Sequence, residues 1–272
     1  MRYFISLSYN GAAFCGWQIQ ENANSVQEEL QKALSTLLKE PVQVVGAGRT
    51  DTGVNARNYI AHFDFQGEMP AQPHTVYKLN AILPKQISVH SVYPVPDEIH
   101  ARFSALSRTY KYYIHTEKDP FCSEFSYFVP ARKLNFEKMT LACQYFLGEQ
   151  DFSSLEKVNG GNKTSICNVT HAGWEPIVPN TAGATPKGQA DSDNTPTHYV
   201  FTVTANRFLR NMVRAMVGSL LEVGSGKREP EWIKEMLAQK NRCAAGHSVP
   251  GNALFLVDVE YPAEAKMHYS EQ

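Results

Sequence analysis

The residues best suited to chemistry lie in one glycine-rich loop, residues 46–54, which read Gly-Ala-Gly-Arg-Thr-Asp-Thr-Gly-Val. The loop follows a short apolar stretch, residues 42–45, that is typical of a strand entering a turn. Its three glycines indicate a backbone that bends sharply or lets a ligand approach closely. The carboxylate of the loop, Asp51, lies two residues before Gly53. The pattern offers this carboxylate to a ligand and predicts an active-site loop.

Two kinds of phosphate-binding loop and an ordinary turn are the alternatives to this interpretation. A dinucleotide-binding turn needs Gly-x-Gly-x-x-Gly, but Asp51 occupies the position of the third glycine after Gly46 and Gly48. An acid there would repel the phosphate that such a turn binds. A Walker-type loop is excluded because no Gly-Lys-Ser/Thr follows. A hairpin turn that uses Asp and Gly for turn chemistry alone stays open on residue types.

Further short blocks accompany this loop in a fixed order over nearly the whole chain. They are Tyr-Asn-Gly (9–11), Phe-Cys-Gly-Trp-Gln (14–18), Ser-Val-Gln (25–27), Ile-Ala-His-Phe (60–63), His-Ala-Arg-Phe-Ser-Ala (100–105), Arg-Thr-Tyr-Lys-Tyr (108–112), Gly-Glu-Gln-Asp-Phe-Ser-Ser (148–154) and Phe-Leu-Arg-Asn-Met-Val-Arg (208–214). Together with the loop, these blocks resemble the TruA family of bacterial tRNA pseudouridine synthases. An ordered set of this kind is far less expected by chance than any single short motif.

The resemblance implies an isomerase that converts particular uridines of tRNA to pseudouridine without cofactor or metal. Asp51 aligns with the catalytic aspartate, and a carboxylate can add to the base or trap the sugar carbon. Tyr110 aligns with the tyrosine that stacks on the target base and is a candidate for removing its C5 proton. Arg210 aligns with the basic residue paired with the aspartate, and an opposite charge favours the ionised carboxylate. These three residues are the predicted catalytic residues.

Four more arginines are predicted to contact RNA: Arg49, Arg102, Arg108 and Arg214. Arg49 aligns with the arginine that takes the place of the flipped uridine, and a guanidinium can stack and bind phosphate. The other three lie in segments 100–115 and 206–221, which contain no acidic residue. A net charge of −1 and a pI near 6.8 give no basic signature, so local charge must supply the binding. Leu254 matches an apolar residue that packs under the flipped base, although ordinary core packing explains it about equally well.

Composition restricts the class of protein. The 272 residues, 43% of them hydrophobic, suit one large domain or two modest ones. We expect no membrane span, because no run of about twenty apolar residues is present, and the first residues lack a signal-peptide pattern. The five scattered cysteines have no zinc-binding spacing. These observations predict a cytoplasmic protein without metal.

The resemblance adds a homodimer that binds the anticodon arm of tRNA and modifies positions 38, 39 and 40.

Interleaved strand and helix patterns predict an α+β fold. Ser25 and Glu28 form a capping-box signature at the start of the first helix, which ends before Pro41. The resemblance implies the pseudouridine-synthase fold, with a mixed or antiparallel sheet flanked by helices and two similar subdomains, 1–105 and 106–272, around a central cleft. The composition of residues 176–197 predicts a flexible insertion. Strands are predicted at 2–9, 42–46, 59–65, 86–93, 108–115, 169–175, 198–205 and 253–260, and later helices at 136–147, 207–223 and 230–239.

Three departures from the family pattern leave the proposed catalytic residues in place, and the last two of them are expected to alter the RNA contacts. Asn55 stands where histidine is usual, Asn58-Tyr59 stand where Gly-Gln is usual, and Cys167 replaces a common basic residue. Two alternative functions also follow from the sequence. One is a non-catalytic tRNA-binding or chaperone protein, and the other is a nucleotide-dependent enzyme. A pure binding protein would not need a carboxylate among phosphates, and a nucleotide enzyme would need the missing third glycine.

Overall fold

The computed structural model describes residues 1–130, 134–157, 164–177 and 196–265. Within these ranges the chain forms ten strands and five α-helices in an α+β arrangement, as predicted. The strands are β1 (Arg2–Tyr9), β2 (Val44–Gly46), β3 (Asn55–Asp64), β4 (Ile87–Val95), β5 (Ser107–His115), β6 (Tyr127–Phe128), β7 (Gly148–Asp151), β8 (Ile166–Pro176), β9 (His198–Ala205) and β10 (Leu254–Glu260). The helices are α1 (Val26–Leu38), α2 (Gln72–Ile82), α3 (Phe136–Cys143), α4 (Met212–Gly224) and α5 (Trp232–Ala238).

The described strands form one sheet in the order β4-β1-β3-β10-β5-β9-β8-β7, with β2 beside β3 and β6 beside β5. Most pairs are antiparallel, while β10 runs parallel to β3 and β6 runs parallel to β5. The carboxy-terminal strand β10 therefore joins the two halves of the sheet. Its register sets Phe255 opposite Asn55 and Leu256 opposite Tyr110. β10 thus lies between β3, which follows the Asp51 loop, and β5, which carries Tyr110.

Helices cover the sheet over two hydrophobic clusters. One cluster joins α1 and α2 to β1, β3 and β4, and the other joins α3, α4 and α5 to β5, β8 and β9. Tyr110 packs against both clusters at the centre of the sheet. β10 and the residues after it contribute to both clusters, since Leu254 packs in the second cluster and Leu256, Val259, Tyr261 and Ala265 pack in the first. The division into subdomains at residue 105 stays a prediction.

Local sequence signals located most elements, and helix α1 shows why. The Ser25 side chain accepts a hydrogen bond from the Glu28 N–H at 3.3 Å, which confirms the predicted amino-terminal cap. Helix α2 was not predicted, because it has no side-chain cap and buries only Thr75 and Leu79. The helix predicted from residue 207 begins only at Met212, because Asn211 has φ +70°, a left-handed conformation outside the helix.

Helix α3 is shorter than predicted, since it ends at Cys143 and a 3₁₀ turn, Gln144–Phe146, follows it. Part of the predicted insertion, residues 178–195, lies outside the described residues. Strands β8 and β9 flank this segment and pair with each other. In the described part of the chain, no helix has the length and apolar character needed to cross a membrane.

Candidate active site

The glycine-rich loop is held from beneath by two aromatic residues. The Tyr59 hydroxyl donates a hydrogen bond to the Gly48 carbonyl, and its ring stacks on Trp17 with centroids 4.1 Å apart. The backbone N–H of Trp17 donates a hydrogen bond to the Thr50 carbonyl at 3.3 Å. Gly16 has φ +92°, and a Cβ there would lie 2.3 Å from the Thr50 oxygen. Only glycine fits at position 16, where the two chain segments approach so closely. This close approach fixes the backbone immediately before Asp51.

Asn55 fixes the other end of the loop and is buried. Its side-chain oxygen accepts a hydrogen bond from the Gly11 N–H at 2.8 Å, and its amide donates to the Asn252 carbonyl at 2.7 Å. The residue that departs from the family pattern therefore joins β3 to two other chain segments. A buried side chain that satisfies two backbone groups has a structural role.

Asp51 lies between two arginines. Its Oδ1 is 3.5 Å from Nε of Arg210, and its Oδ2 is 3.4 Å from Nη1 of Arg214. The sequence predicted Arg210 as the partner of Asp51 and Arg214 as an RNA contact, on the assumption that both lie on one helical face. Arg210 instead precedes α4, since the left-handed Asn211 separates it from the helix. Both arginines therefore converge on the one carboxylate.

Arg214 is the better fixed of these two arginines. Its Nε donates a 2.6 Å hydrogen bond to the Val249 carbonyl, and its side chain is 23% exposed. The Arg210 side chain is 48% exposed, so solvent screens its interaction with Asp51 more strongly. The geometry makes Arg214 the principal cationic partner of Asp51 and leaves Arg210 facing the open side of the site.

Tyr110 is a neutral phenol in this environment. Burial raises the pKa of its hydroxyl well above the ordinary value, and the nearby charge of Asp51 acts in the same direction. Its ring meets Phe208 edge to face at 5.0 Å between centroids. A ring fixed by both hydrophobic clusters is suited to stacking, while a resting phenolate at neutral pH is disfavoured.

A cavity of about 480 Å³ opens beside Asp51. Four cations face this single carboxylate, so the cavity carries an excess of positive charge. Two of the cations, Lys157 and Arg242, were not predicted from the sequence, although Arg242 lies with Lys240 in a stretch, residues 236–257, that contains no acidic residue. Arg242 and Asn211 both donate to the Ser248 hydroxyl, at 2.8 and 2.6 Å. The lining residues are Asp51, Thr52, Lys157, Arg210, Asn211, Arg214, Arg242 and Ser248.

Two of the predicted RNA contacts, Arg49 and Arg102, have exposed side chains. Arg49 is exposed, and its side chain has no hydrogen bond or ion pair with the described part of the chain. Arg102 is also exposed and lies over the Phe103 ring, 5.6 Å from its centroid, where the Phe103 side chain is 77% exposed. Both arginines are free to meet a ligand. An exposed aromatic beside an arginine offers a stacking surface.

Arg108 is placed differently from these residues, because backbone oxygens already occupy its guanidinium. Its Nη1 donates to the carbonyls of Ala105 and Asn206, at 3.0 and 2.7 Å. Its Nη2 donates to the carbonyls of Ala47 and Arg102, at 3.1 and 2.5 Å. The geometry favours a structural role over the predicted RNA contact, since Arg108 ties the Asp51 loop to β5 and to the segment around Arg102.

Replacing Arg108 with methionine should lower the free energy of unfolding by about 2 kcal/mol, since four carbonyls lose a charged donor. Urea unfolding would measure this change. Arg102→Met is the matched control, because its exposed side chain makes no such bonds and should change the stability by less than about 0.5 kcal/mol. Equal stability of the two variants would contradict the structural role of Arg108.

The remaining residues singled out from the sequence are mostly internal. Leu254 is buried at the start of β10, opposite Tyr112. Cys167 is fully buried and cannot contact RNA. Asn58 accepts a hydrogen bond from Ser6 and donates one to Asp258. Of the departures from the family pattern, Asn58 and Cys167 therefore belong to the sheet and the interior, whereas Asn55 and Tyr59 hold the Asp51 loop.

Comparisons with known proteins identify the family of this chain. The family model described as tRNA pseudouridine synthase matches residues 142–262. A tRNA pseudouridine synthase A of Parabacteroides distasonis is 49% identical, and one of Bacteroides fragilis is 48% identical, with 97% of each chain covered. The corresponding protein of Porphyromonas gingivalis is 42% identical over 97% of this chain and 98% of its own. The chain belongs to the tRNA pseudouridine synthase family, whose members are isomerases that convert uridine to pseudouridine.

Proposed function

We propose that this protein isomerises uridine to pseudouridine at positions 38, 39 and 40 in the anticodon arm of tRNA, with Asp51 as the catalytic carboxylate and without a cofactor. The observation that carries this proposal is the position of Asp51 between Arg210 and Arg214 at the edge of a cationic cavity. A carboxylate so placed is partly shielded and accessible to a nucleotide.

The reaction breaks the bond between C1′ of the ribose and N1 of uracil, and forms a bond between C1′ and C5 of the same base. The hydrogen on C5 leaves as a proton and N1 takes up a proton, so the product is an isomer of the substrate and no electrons are gained or lost. A carboxylate supports this exchange either by adding to the base or by trapping C1′. Tyr110 would stack on the base as a neutral phenol, and Leu254 would pack close to the base from the start of β10.

Lys157 and Arg242 are suited to hold the phosphates that flank the target nucleotide. Both line the cavity that contains Asp51, where Arg242 is oriented by its bond to Ser248. Phosphate contacts position a nucleic acid without reading its bases. The exposed residues Arg49 and Arg102 would extend this contact beyond the cavity.

Lys157→Met and Arg242→Met should each weaken tRNA binding and reduce the slope of log affinity against log salt by about 1. Binding titrations at several salt concentrations would measure both quantities. Lys32→Met is the control, because this lysine is already neutralised by Glu28 and Glu29. Unchanged slopes in both cavity variants would contradict the phosphate contacts.

The protein is also proposed to act in the cytoplasm as a homodimer whose subunits share each tRNA, with no membrane or small-molecule partner. This assembly is supported by family membership. Sedimentation with and without tRNA would test it, since a protein that stays monomeric in both conditions would contradict the shared site.

Release of tritium from C5-labelled uridine in tRNA tests the reaction itself, because pseudouridine formation must release this hydrogen and binding alone cannot. We expect release from intact tRNA. Release should fall stepwise in transcripts with cytidine at positions 38, 39 and 40, and should vanish when all three are replaced. Binding without release would instead favour the non-catalytic tRNA-binding function, and release from the triple replacement would contradict the target positions.

A further inference from the structure

A second group of chemically reactive side chains lies near the start of β9, apart from the cavity beside Asp51. Asp119 and Cys122 come from the loop after β5, and His198 is the first residue of β9. One carboxylate oxygen, the thiol sulfur and one imidazole nitrogen all lie within 4.8 Å of one another. The two loop residues have the x-x spacing common to metal ligands in short loops. His198 lies far from them in sequence, so the sequence alone did not indicate the cluster.

The imidazole of His198 is oriented toward this cluster. Its Nδ1 lies 3.0 Å from the Thr197 hydroxyl, which can accept the ring N–H and leave the Nε2 lone pair free. Nε2 is buried and has no hydrogen-bond partner in the described part of the chain. Its nearest carboxylate oxygen, Oδ2 of Asp119, is 4.0 Å away.

A buried lone pair without a donor costs free energy, and a bound cation would remove that cost. A histidine whose other ring nitrogen is fixed by a hydrogen bond is the usual form of a metal-ligating histidine. The Cys122 sulfur lies on the same side of the cluster, 3.8 Å from the Asp119 carbonyl. Thiolate, imidazole and carboxylate together form a ligand set that suits zinc and disfavours magnesium or calcium.

We propose that Asp119, Cys122 and His198 bind one zinc ion, with water as the fourth ligand. Tetrahedral zinc would set the carboxylate oxygen and imidazole nitrogen about 3.3 Å apart, against 4.0 Å in the ion-free geometry. Rotation of the Asp119 side chain can supply this contraction. Cys122 loses its thiol proton to solvent on binding. Zinc binding should therefore strengthen as the pH rises.

The zinc ion would connect this loop to the catalytic loop. The carbonyls of Ser123 and Glu124, next to the proposed ligands, accept hydrogen bonds from the Asn252 side chain at 3.2 and 3.1 Å. The Asn252 carbonyl in turn accepts from Asn55, which fixes the end of the Asp51 loop. Zinc is therefore proposed to fix the loop that contains Asp119 and Cys122 and, through Asn252 and Asn55, to support the end of the Asp51 loop. The binding of zinc itself does not depend on the proposed function.

Cobalt titration of the metal-free full-length protein tests this site, because a thiolate bound to Co²⁺ gives a charge-transfer absorption band and tetrahedral Co²⁺ gives visible ligand-field bands. We expect one equivalent to produce both, and zinc to displace it. Cys122→Ser should abolish the charge-transfer band, while Cys243→Ser, which removes an exposed cysteine outside the cluster, should retain it. Thr197→Val should weaken zinc binding about 10- to 100-fold, since it removes the group that orients His198.

Folding of the variants is checked by their unfolding transitions without metal, which should match that of the unchanged protein. Zinc should raise the Tm of the unchanged protein and of Cys243→Ser, but not that of Cys122→Ser or His198→Gln. A charge-transfer band that persists in Cys122→Ser would overturn the proposal. The absence of stoichiometric cobalt or zinc binding to the unchanged protein would overturn it as well.

Discussion

Replacing Asp51 with asparagine is expected to lower the rate of pseudouridine formation by at least ~10⁴-fold, because removal of a nucleophilic group usually costs an enzyme this much or more. The substitution keeps the shape of the side chain and the glycine-rich loop around it. The affinity for tRNA should change by less than about threefold, since Asp51 lies among cations and does not hold phosphate. Tritium release under single-turnover conditions and a binding titration would measure the two effects.

Asp97→Asn is the matched control for this substitution. Asp97 has a side chain that is 78% exposed. It lies beside the amino-terminal amino group of Met1 and outside the cavity. It should keep the activity of the unchanged protein. An Asp51→Asn protein that is folded, binds tRNA and still releases tritium at a rate within tenfold of the unchanged protein would eliminate Asp51 as the catalytic carboxylate.

Replacing Arg214 with methionine is expected to lower kcat by about 10²- to 10³-fold, the usual effect of removing a preorganised electrostatic partner. Arg214 is fixed by Val249 and lies 3.4 Å from Asp51, so its charge acts on the carboxylate with little reorganisation. Arg210→Met should have a smaller effect on kcat, because that side chain is about half exposed. Single-turnover rates of both variants would compare the two arginines.

Arg214→Lys separates charge from geometry in this pair. A lysine keeps the positive charge but cannot donate to Asp51 and Val249 through one planar group, so it should restore only part of the lost rate. A larger loss of kcat in Arg210→Met than in Arg214→Met would reverse the assignment and restore Arg210 as the principal partner of Asp51. Unfolding transitions of the variants would exclude a loss of structure as the cause.

The amino-acid sequence by itself determined the elements whose signals are local. The Ser25 cap and the apolar stripe after it located α1, and alternation of apolar residues located β5 and β9 within one residue at each end. The prediction that the loop glycines mark sharp bends or close approaches is confirmed at Gly53, which has φ +77°, and at Gly46, where a Cβ would lie 2.1 Å from the Tyr59 hydroxyl oxygen. At Gly48 a Cβ would have no neighbour within 4 Å. Family membership also followed from the sequence, because the ordered motifs extend over nearly the whole chain.

Only the tertiary structure decided which charged groups meet. The left-handed Asn211 redirects Arg210, and no periodicity in the sequence shows such a single-residue turn. Lys157 and Arg242 reach the cavity beside Asp51, and backbone carbonyls from four separate positions occupy Arg108. Most of these contacts join residues far apart in the chain, which the insertion of β10 between β3 and β5 brings together. Strand order depends on the packing of the whole chain, whereas helical and strand periodicity depends only on near neighbours.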